Sequence, residues 1–211
     1  MRVGLIVDSA CDLPYEFSRK HDLFVLPVTA IIDGQTYIDT HDPVRTQEFY
    51  QSGLLDKGHQ AETEAFSAEQ IHNLFMEKIV TQFDVAICET VTRSRSQIFD
   101  HASEAMNTVM ANYEGARKAA GREGKFSMRV IDSKQIFAGQ GLLAAHTLRL
   151  INQKVSKNTL RHEVETFTDK IYTCVIPRDL HYIRERARRR GDKSVSAMAA
   201  FMGKVLNINP V

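Results

Sequence analysis

Two short segments of the sequence combine hydroxyl groups with the predicted start of a helix. Thr63 stands just ahead of a helix predicted to begin at Ser67. The second segment leads from a predicted strand into the next helix and adds two cations, and its residues are Thr92, Arg93, Ser94, Arg95 and Ser96. The first N–H groups of a helix lack intrahelical partners and attract a carboxylate or a phosphate. Both segments therefore predict an anion site, and the alternative is that the serines only cap their helices, at about 1 kcal/mol each.

A further group of polar residues follows the first predicted strand. Asp8, Ser9, Cys11 and Asp12 lie close together there. Ligands of open α/β sheets bind outside the carboxyl ends of the strands, so Asp8 and Ser9 are candidates for lining a cleft. The alternative is that these side chains serve turns and caps.

Enzymatic and metal chemistry finds weaker support in the sequence. Asp39, His41 and Asp42 are potential metal ligands, but no second cluster completes a ligand set, so we expect no metal. Neither a Walker A sequence nor a G-x-G-x-x-G after a strand is present. The rival to a binding protein is a small α/β phosphotransferase or hydrolase that binds a phosphorylated metabolite at the same cleft, with Asp8 or Asp132 as base or metal ligand.

The spacing of the cysteines and the length of the apolar runs bear on the cellular compartment of the protein. The three cysteines, Cys11, Cys88 and Cys174, lie far apart with no CxxC pair, which argues against a disulfide framework or a zinc site. The first apolar run is interrupted by Asp8, and nowhere do the roughly 18 consecutive apolar residues of a membrane span occur. We therefore expect a cytoplasmic protein without a membrane anchor.

The elements that must position these residues alternate between short apolar runs and helix-period segments, which is typical of an α/β chain with a mainly parallel sheet. Two Ser-x-x-Gln sequences, at Ser67 and Ser94, predict capping boxes, and Pro27 predicts an edge or a bulge in the second strand. The predicted strands are 2–7, 23–31, 35–38, 84–90, 127–132 and 171–176. The predicted helices are 14–20, 46–52, one from 67, 94–119, 135–152, one ending near 167, and 195–206.

Length and composition predict a folded protein of one large domain or two small lobes. The chain has 211 residues, of which 43% are hydrophobic and 25% charged. A net charge of +1 gives no reason to expect nucleic acid or an anionic membrane as the main partner. A polar stretch at 153–157 predicts a boundary between a first lobe, 1–153, and a second lobe, 154–211. The basic segment 184–190 is either a solvated helix face or a docking surface for an acidic partner or a phosphate, with nucleic acid as a further alternative for this segment.

A series of short motifs resembles the DegV family of bacterial fatty-acid-binding proteins. Each motif is weak alone, but their order along nearly the whole chain is specific. In this sequence they are Asp8-Ser9-Ala10-Cys11-Asp12-Leu13-Pro14, Leu26-Pro27-Val28, Gly34 to Asp39, Ile131-Asp132-Ser133, Gln140 to Leu142 and Gly203 to Pro210.

The resemblance implies a two-lobed α/β carrier, not an enzyme, that holds one long-chain fatty acid in an apolar tunnel and needs no other cofactor. It implies that the carboxylate is held by Thr63 and Ser96, which lie in the two segments already predicted to bind an anion, and we therefore expect Thr92, Arg93 and Arg95 to contribute as well. We expect the apolar faces of the helices from Ser67 and Ser96 to help line the tunnel. The resemblance also implies a partner, a separate kinase subunit that phosphorylates the carboxyl group of the delivered fatty acid.

The sequence departs from the family pattern in both hydroxyl segments and near its end. Gln97 replaces a glycine, which removes conformational freedom from the turn that follows Ser96. An arginine of the family is missing near Lys193, so that Lys193 or a neighbouring arginine would have to substitute. The chain also stops at Val211, before the family's His-x-Gly-Pro-Gly segment. It is either a short natural form or a fragment, and a second subunit could cover an exposed sheet edge.

Overall fold

A computed structural model describes residues 1–56 and 58–176. The basic segment 184–190, the predicted helix 195–206 and Lys193 lie outside these residues. A π-helical stretch, Phe75–Ile79, continues the third helix. The elements in chain order are β1 (Val3–Asp8), α1 (Tyr15–Lys20), β2 (Phe24–Leu26), β3 (Val28–Ile32), β4 (Gln35–Asp39), α2 (Pro43–Gln51), β5 (Ala61–Ala65), α3 (Ala68–Leu74), β6 (Val85–Thr90), α4 (Ile98–Ala119), β7 (Ser127–Asp132), α5 (Phe137–Asn152) and α6 (Lys157–Thr168).

Four parallel strands form the central sheet in the order β2-β1-β6-β7. Every residue of β6 is buried, as expected for a parallel strand that is covered on both faces. One face packs against α3 and α4 through side chains such as Ile71, Phe75 and Ile98. The opposite face packs against α5 and α6 through Leu143 and Leu160. The predicted α/β architecture with a mainly parallel sheet is confirmed.

Pro27 divides the second predicted strand into two strands of different sheets. β2 pairs with β1, whereas β3 is the centre of an antiparallel sheet of order β4-β3-β5. Proline has no N–H to donate to a strand ladder, so the ladder ends where it stands. The predicted turn between β3 and β4 is confirmed, because Asp33 and Gly34 both have positive φ, at 49° and 80°.

Three local features differ from the sequence predictions, which were wrong there. β5 was not predicted, because its sequence Ala-Glu-Thr-Glu-Ala has few of the β-branched residues typical of strands. The capping box predicted at Ser94 is absent, since α4 begins at Ile98 and its N-cap, Gln97, makes no side-chain cap. The strand predicted at 171–176 is absent, since these described residues pair with no other strand. The capping box at Ser67 is confirmed.

Met1–Tyr172 form one compact unit, and Thr173 begins a second unit, of which the structure describes residues 173–176. In the first unit, Leu160 and Val164 of α6 are buried in the cluster that also contains Leu143 of α5. This unit therefore continues beyond residue 153, where the sequence placed the lobe boundary. Within the described part of the chain, no helix is long and apolar enough to cross a membrane.

Candidate functional site

The strand order of the central sheet marks one place where a ligand site is expected. The chain runs from β1 to β2 on one side and from β6 to β7 on the other, so the direction of winding changes between β1 and β6. Open α/β sheets bind ligands in the crevice at the carboxyl ends of such a strand pair. Asp8 ends β1, and the residues after Thr90 form the 91–97 loop, which leads into α4.

Asp8 connects the loop that follows β1 to the 91–97 loop. Its Oδ2 atom accepts a hydrogen bond from the Val91 N–H at 2.5 Å, and its Oδ1 atom accepts one from the Ala10 N–H at 3.0 Å. Burial raises the pKa of Asp8 to about 6, although the two N–H donors act in the opposite direction. The side chain is fully buried, so Asp8 lies beneath the 91–97 loop and does not face a cleft.

Ser9 connects the same region to the antiparallel sheet. The Ser9 hydroxyl oxygen accepts a hydrogen bond from the Val28 N–H at 3.1 Å, at the first residue of β3. The Ser9 carbonyl accepts a bond from Nε2 of His41 at 2.6 Å. Ser9 is also buried, so the alternative of turn chemistry describes both cleft candidates better than a lining role.

The 91–97 loop is anchored by its backbone and by the buried Val91 side chain, whereas Arg93, Ser94 and Arg95 are exposed. The Thr92 N–H donates to the Gln135 carbonyl at 2.9 Å, and the Arg93 N–H donates to Oδ1 of Asp132 at 3.3 Å. The Arg95 N–H closes a turn onto the Thr92 carbonyl at 2.9 Å. Because backbone contacts hold the loop on β7 and its following residues, its hydroxyl and guanidinium groups are held on the outside of a fixed frame.

The hydroxyl groups of the loop lie at the start of α4. The Thr92 and Ser94 hydroxyls are 3.2 Å apart. Ser96 is half-buried, and its Oγ atom accepts a hydrogen bond from the Ile98 N–H at 3.2 Å. An N–H donor on Oγ leaves the hydroxyl proton of Ser96 for another acceptor. Ser96 therefore lies two residues before the first residue of α4, outside the helix that was predicted to include it.

The two arginines of the loop are exposed. Nη2 of Arg93 donates to Oδ1 of Asp100 at 2.9 Å, and the guanidinium lies 5.1 Å from the centre of the Phe99 ring. Both partners of this ion pair are more than half exposed, so the pair is weak and Arg93 retains donors that face solvent. Arg95 adds a second positive charge beside the same helix start.

Thr63 is not at a helix start, which corrects the sequence analysis. It is an exposed residue within β5, where it pairs with Ala30 of β3. The polar sequence around Thr63 does not indicate a strand, because β5 is stabilised by pairing with β3 and not by burial of its own side chains. Two residues further along β5, Ala65 pairs with Val28, the residue whose N–H Ser9 holds. The structure thus connects the strand of Thr63 to Ser9, Asp8 and the 91–97 loop through β3.

Glu89, which the sequence analysis missed, lies behind the site on the α5 face of the sheet. It is fully buried, and the Thr147 hydroxyl donates to its Oε1 atom at 2.5 Å. Burial raises the pKa of Glu89 to about 8, so the carboxyl group is mainly protonated at neutral pH. A single Glu directly after the apolar run Val85 to Cys88 was the available signal.

Among residues 1–56 and 58–176, the apolar faces of α3 and α4 form filled core and line no tunnel, contrary to the expectation from the sequence. Their side chains pack against each other and against the sheet, and Ile71, Phe75, Ile98 and Ala102 have no exposed surface. An open groove of about 560 Å³ lies elsewhere, between α2 and the loop after β1. Its lining includes Leu13, Tyr15, His41, Pro43 and Tyr50.

The residues considered as metal ligands have local structural partners. Oδ1 of Asp39 accepts a bond from the His41 N–H at 2.9 Å, and Asp42 caps α2 by accepting one from the Arg45 N–H. Over residues 1–56 and 58–176, no group of three or more His, Cys, Asp or Glu side chains is placed to hold a metal ion.

Comparison with known sequences gives matches along the whole chain. The model of the DegV family, which is described as uncharacterised, matches residues 2–211. A DegV domain-containing protein of Xanthomonas axonopodis pv. citri is 42% identical over 211 residues, which are 100% of this chain and 67% of the relative. One of Caldanaerobacter subterraneus subsp. tengcongensis is 25% identical over 210 residues, which are 66% of that relative. The chain thus spans about two thirds of the length of these relatives.

Solved structures with the same fold include proteins described by their lipid ligands. A stearic acid-binding protein of Eubacterium ventriosum is 27% identical, with a TM-score of 0.64 over 77% of this chain and 52% of that one. DegV of Bacillus subtilis, described as a fatty acid binding protein, has a TM-score of 0.69 at 17% identity over 92% of this chain and 63% of that one. The fatty acid kinase B3 protein of Streptococcus pneumoniae, loaded with linoleic acid, has a TM-score of 0.60 at 16% identity over 80% of this chain and 55% of that one. The last two likenesses concern the fold alone.

Proposed function

This chain belongs to the DegV family, and on that premise we propose that it binds a long-chain fatty acid and holds the carboxylate with Thr63 and Ser96. The observation that carries the proposal is the 91–97 loop. It lies at the carboxyl ends of β1 and β6, where the direction of winding changes, and it joins hydroxyls, two arginines and a helix start. Stearic acid binding by the Eubacterium ventriosum protein supports the choice of ligand.

Each group of the proposed head-group site has a distinct task. The hydroxyls of Thr63 and Ser96 donate hydrogen bonds to the carboxylate oxygens, and Thr92 contributes a further hydroxyl. Arg93 and Arg95 supply positive charge, which favours the carboxylate over an uncharged head group. Lys193, a further candidate from the sequence, lies outside the described residues. The site on this chain thus combines a strand residue, Thr63, with a helix-start residue, Ser96.

The acyl chain supplies most of the affinity in this proposal. Burial of apolar surface contributes about 0.8 kcal/mol for each CH₂ group. Because the inward faces of α3 and α4 are filled core, we assign the acyl chain to residues other than Ile71, Phe75 and Ile98. The affinity for the fatty acid then increases with the length of its acyl chain until the apolar space that holds the chain is filled. The head-group residues fix the position of the carboxylate and thereby the position of the acyl chain.

The fate of the bound fatty acid is a further part of the proposal. We propose that the chain acts as a carrier that presents the carboxyl group to a separate kinase subunit. The similarity in fold to a fatty acid kinase B3 protein of Streptococcus pneumoniae is the support for this partner. The cytoplasmic location that the cysteines predict is consistent with such a carrier.

The alternative hypothesis, a phosphotransferase or hydrolase that uses Asp8 or Asp132, is not favoured by the surroundings of these two residues. Asp8, one candidate base, is fully buried and accepts hydrogen bonds on both oxygens. Asp132, the other candidate, accepts bonds on Oδ1 from the N–H groups of Arg93 and Lys134. Both carboxylates therefore hold loops, and we do not propose a phosphotransferase or hydrolase.

The first experiment identifies what the protein carries. The chain is purified from cells, and native and denaturing mass spectrometry are compared. We expect a stoichiometric fatty acid that is released on denaturation, and its mass gives the chain length. A protein that carries none and also fails to bind added palmitate would contradict the proposed function.

The second experiment tests the site. Thr63→Val combined with Ser96→Ala is expected to weaken palmitate binding by tenfold or more, since a hydrogen bond to a charged group contributes about 1.5–3 kcal/mol. Thr36→Val on the exposed strand β4 and Ser156→Ala at the N-cap of α6 are matched controls, because they remove a strand threonine and a cap elsewhere. Unchanged palmitate affinity in a folded double variant would refute the assignment of Thr63 and Ser96.

A further inference from the structure

His101 connects the two segments that carry the proposed carboxylate ligands. It lies in the first turns of α4, and its Nδ1 atom is 2.8 Å from the carbonyl oxygen of Phe66. Phe66 stands between the end of β5 and Ser67, the N-cap of α3. The contact therefore joins residues 35 positions apart in the sequence.

Each side of this contact is short and rigid. On one side, Ser96 precedes His101 by little more than a helical turn, and its Oγ atom accepts the Ile98 N–H. On the other side, Thr63 lies three residues before Phe66. Thr63 belongs to β5, which is paired along its length with β3. The Phe66 side chain also packs against the core. A displacement of the Phe66 carbonyl relative to α4 therefore changes the spacing between Thr63 and Ser96.

The chemistry of the contact specifies a donor on residue 101. A carbonyl oxygen only accepts, so the imidazole must carry its proton on Nδ1. The side-chain amide nitrogen of asparagine lies at a similar distance from the backbone as Nδ1, whereas leucine offers no donor.

We infer that His101 is a positioning residue, which sets the distance between Thr63 and Ser96 by holding the Phe66 carbonyl against the start of α4. The inference rests on the proposed function and adds a residue to it that does not contact the ligand. Its consequence is selective: loss of the contact impairs recognition of the carboxylate more than burial of the acyl chain.

The test compares an acid with its alcohol. Dissociation constants for palmitate and for hexadecanol are measured with the wild-type chain and with His101→Leu, His101→Asn and His162→Leu. His162 is an exposed histidine of α6 and serves as the control. We expect His101→Leu to bind palmitate about fivefold more weakly, the equivalent of one net hydrogen bond of about 1 kcal/mol, and hexadecanol as before. His101→Asn should restore palmitate binding to within about twofold.

The possible outcomes separate this inference from the proposed function. If the wild-type chain fails to bind palmitate, the proposed function is overturned, and this role of His101 with it. If the wild-type chain binds but His101→Leu loses equal affinity for both ligands, or for neither, only the role of His101 is overturned. Should His101→Leu not fold, His101→Gln takes its place, because its amide is displaced by one bond and must still weaken palmitate more than hexadecanol.

Discussion

Glu89→Gln should remove most of the dependence of stability on pH between pH 5 and 8. The Glu89 side chain is fully buried between the sheet and α5, and burial raises its pKa from the ordinary 4.5 to about 8. The folded protein therefore keeps a proton that the unfolded chain releases above about pH 4.5. The stability that the protonated group contributes is complete below that pH and is lost as the pH rises through about 8.

The size of the effect follows from the two pKa values. Integrating the difference in bound protons from pH 5 to pH 8 gives a loss of about 3 kcal/mol in the free energy of unfolding from Glu89 alone. Asp8, whose pKa burial raises to about 6, adds a smaller loss with the same sign. The amide that Glu89→Gln introduces would still accept the Thr147 hydroxyl and carries no titratable proton, so the variant should keep only the smaller slope.

The assay is urea unfolding, followed by circular dichroism at unit steps from pH 5 to pH 8. Glu104→Gln, on the exposed side of α4, is the matched control and should retain the wild-type slope. We expect the slope of Glu89→Gln to be shallower by about 3 kcal/mol over the interval, with the same m-value. Parallel pH profiles for the wild-type chain and Glu89→Gln would refute the conclusion that Glu89 is protonated in the folded protein.

Two further predictions concern residues that hold the first unit together. Ser67→Ala should lower the free energy of unfolding by about 1 kcal/mol because it removes a capping box. The control Ser94→Ala removes no cap and should change this free energy by less than about 0.5 kcal/mol. Equal losses for the two variants in urea unfolding would contradict the prediction. Arg117 is buried and donates to Asp84 and to four backbone carbonyls, so Arg117→Lys, which cannot reproduce that planar set of donors, should lose about 3 kcal/mol or more. Wild-type stability of Arg117→Lys would show that these bonds contribute little.

The elements that sequence could predict are those whose signals are local. The apolar run before Asp8 and the run 84–90 fell within a residue of β1 and β6, because strands that are buried on both faces need apolar side chains throughout. The capping box at Ser67 needs only residues within one helical turn. β5 was not predicted because its side chains show no strand pattern. It is a strand because its backbone pairs with that of β3.

The candidate site shows the opposite case, since its organising contacts are long-range. Asp8 and Val91 are 83 positions apart, and no spacing rule indicates that this carboxylate holds the 91–97 loop. The same holds for the contact of His101 with Phe66. Ser96 could be placed because a strand end and a helix start bracket it, whereas the position of Thr63 depended on recognising β5.

The backbone of the 91–97 loop also explains how the chain can lack the glycine that follows Ser96 in the family pattern. Gln97 has φ −80° and ψ −2°, a conformation open to any residue. A glycine is required only where φ is positive, so its replacement introduces no strain here. At Gln97 the departure from the family pattern therefore costs no backbone strain, and it adds an exposed amide side chain directly after Ser96.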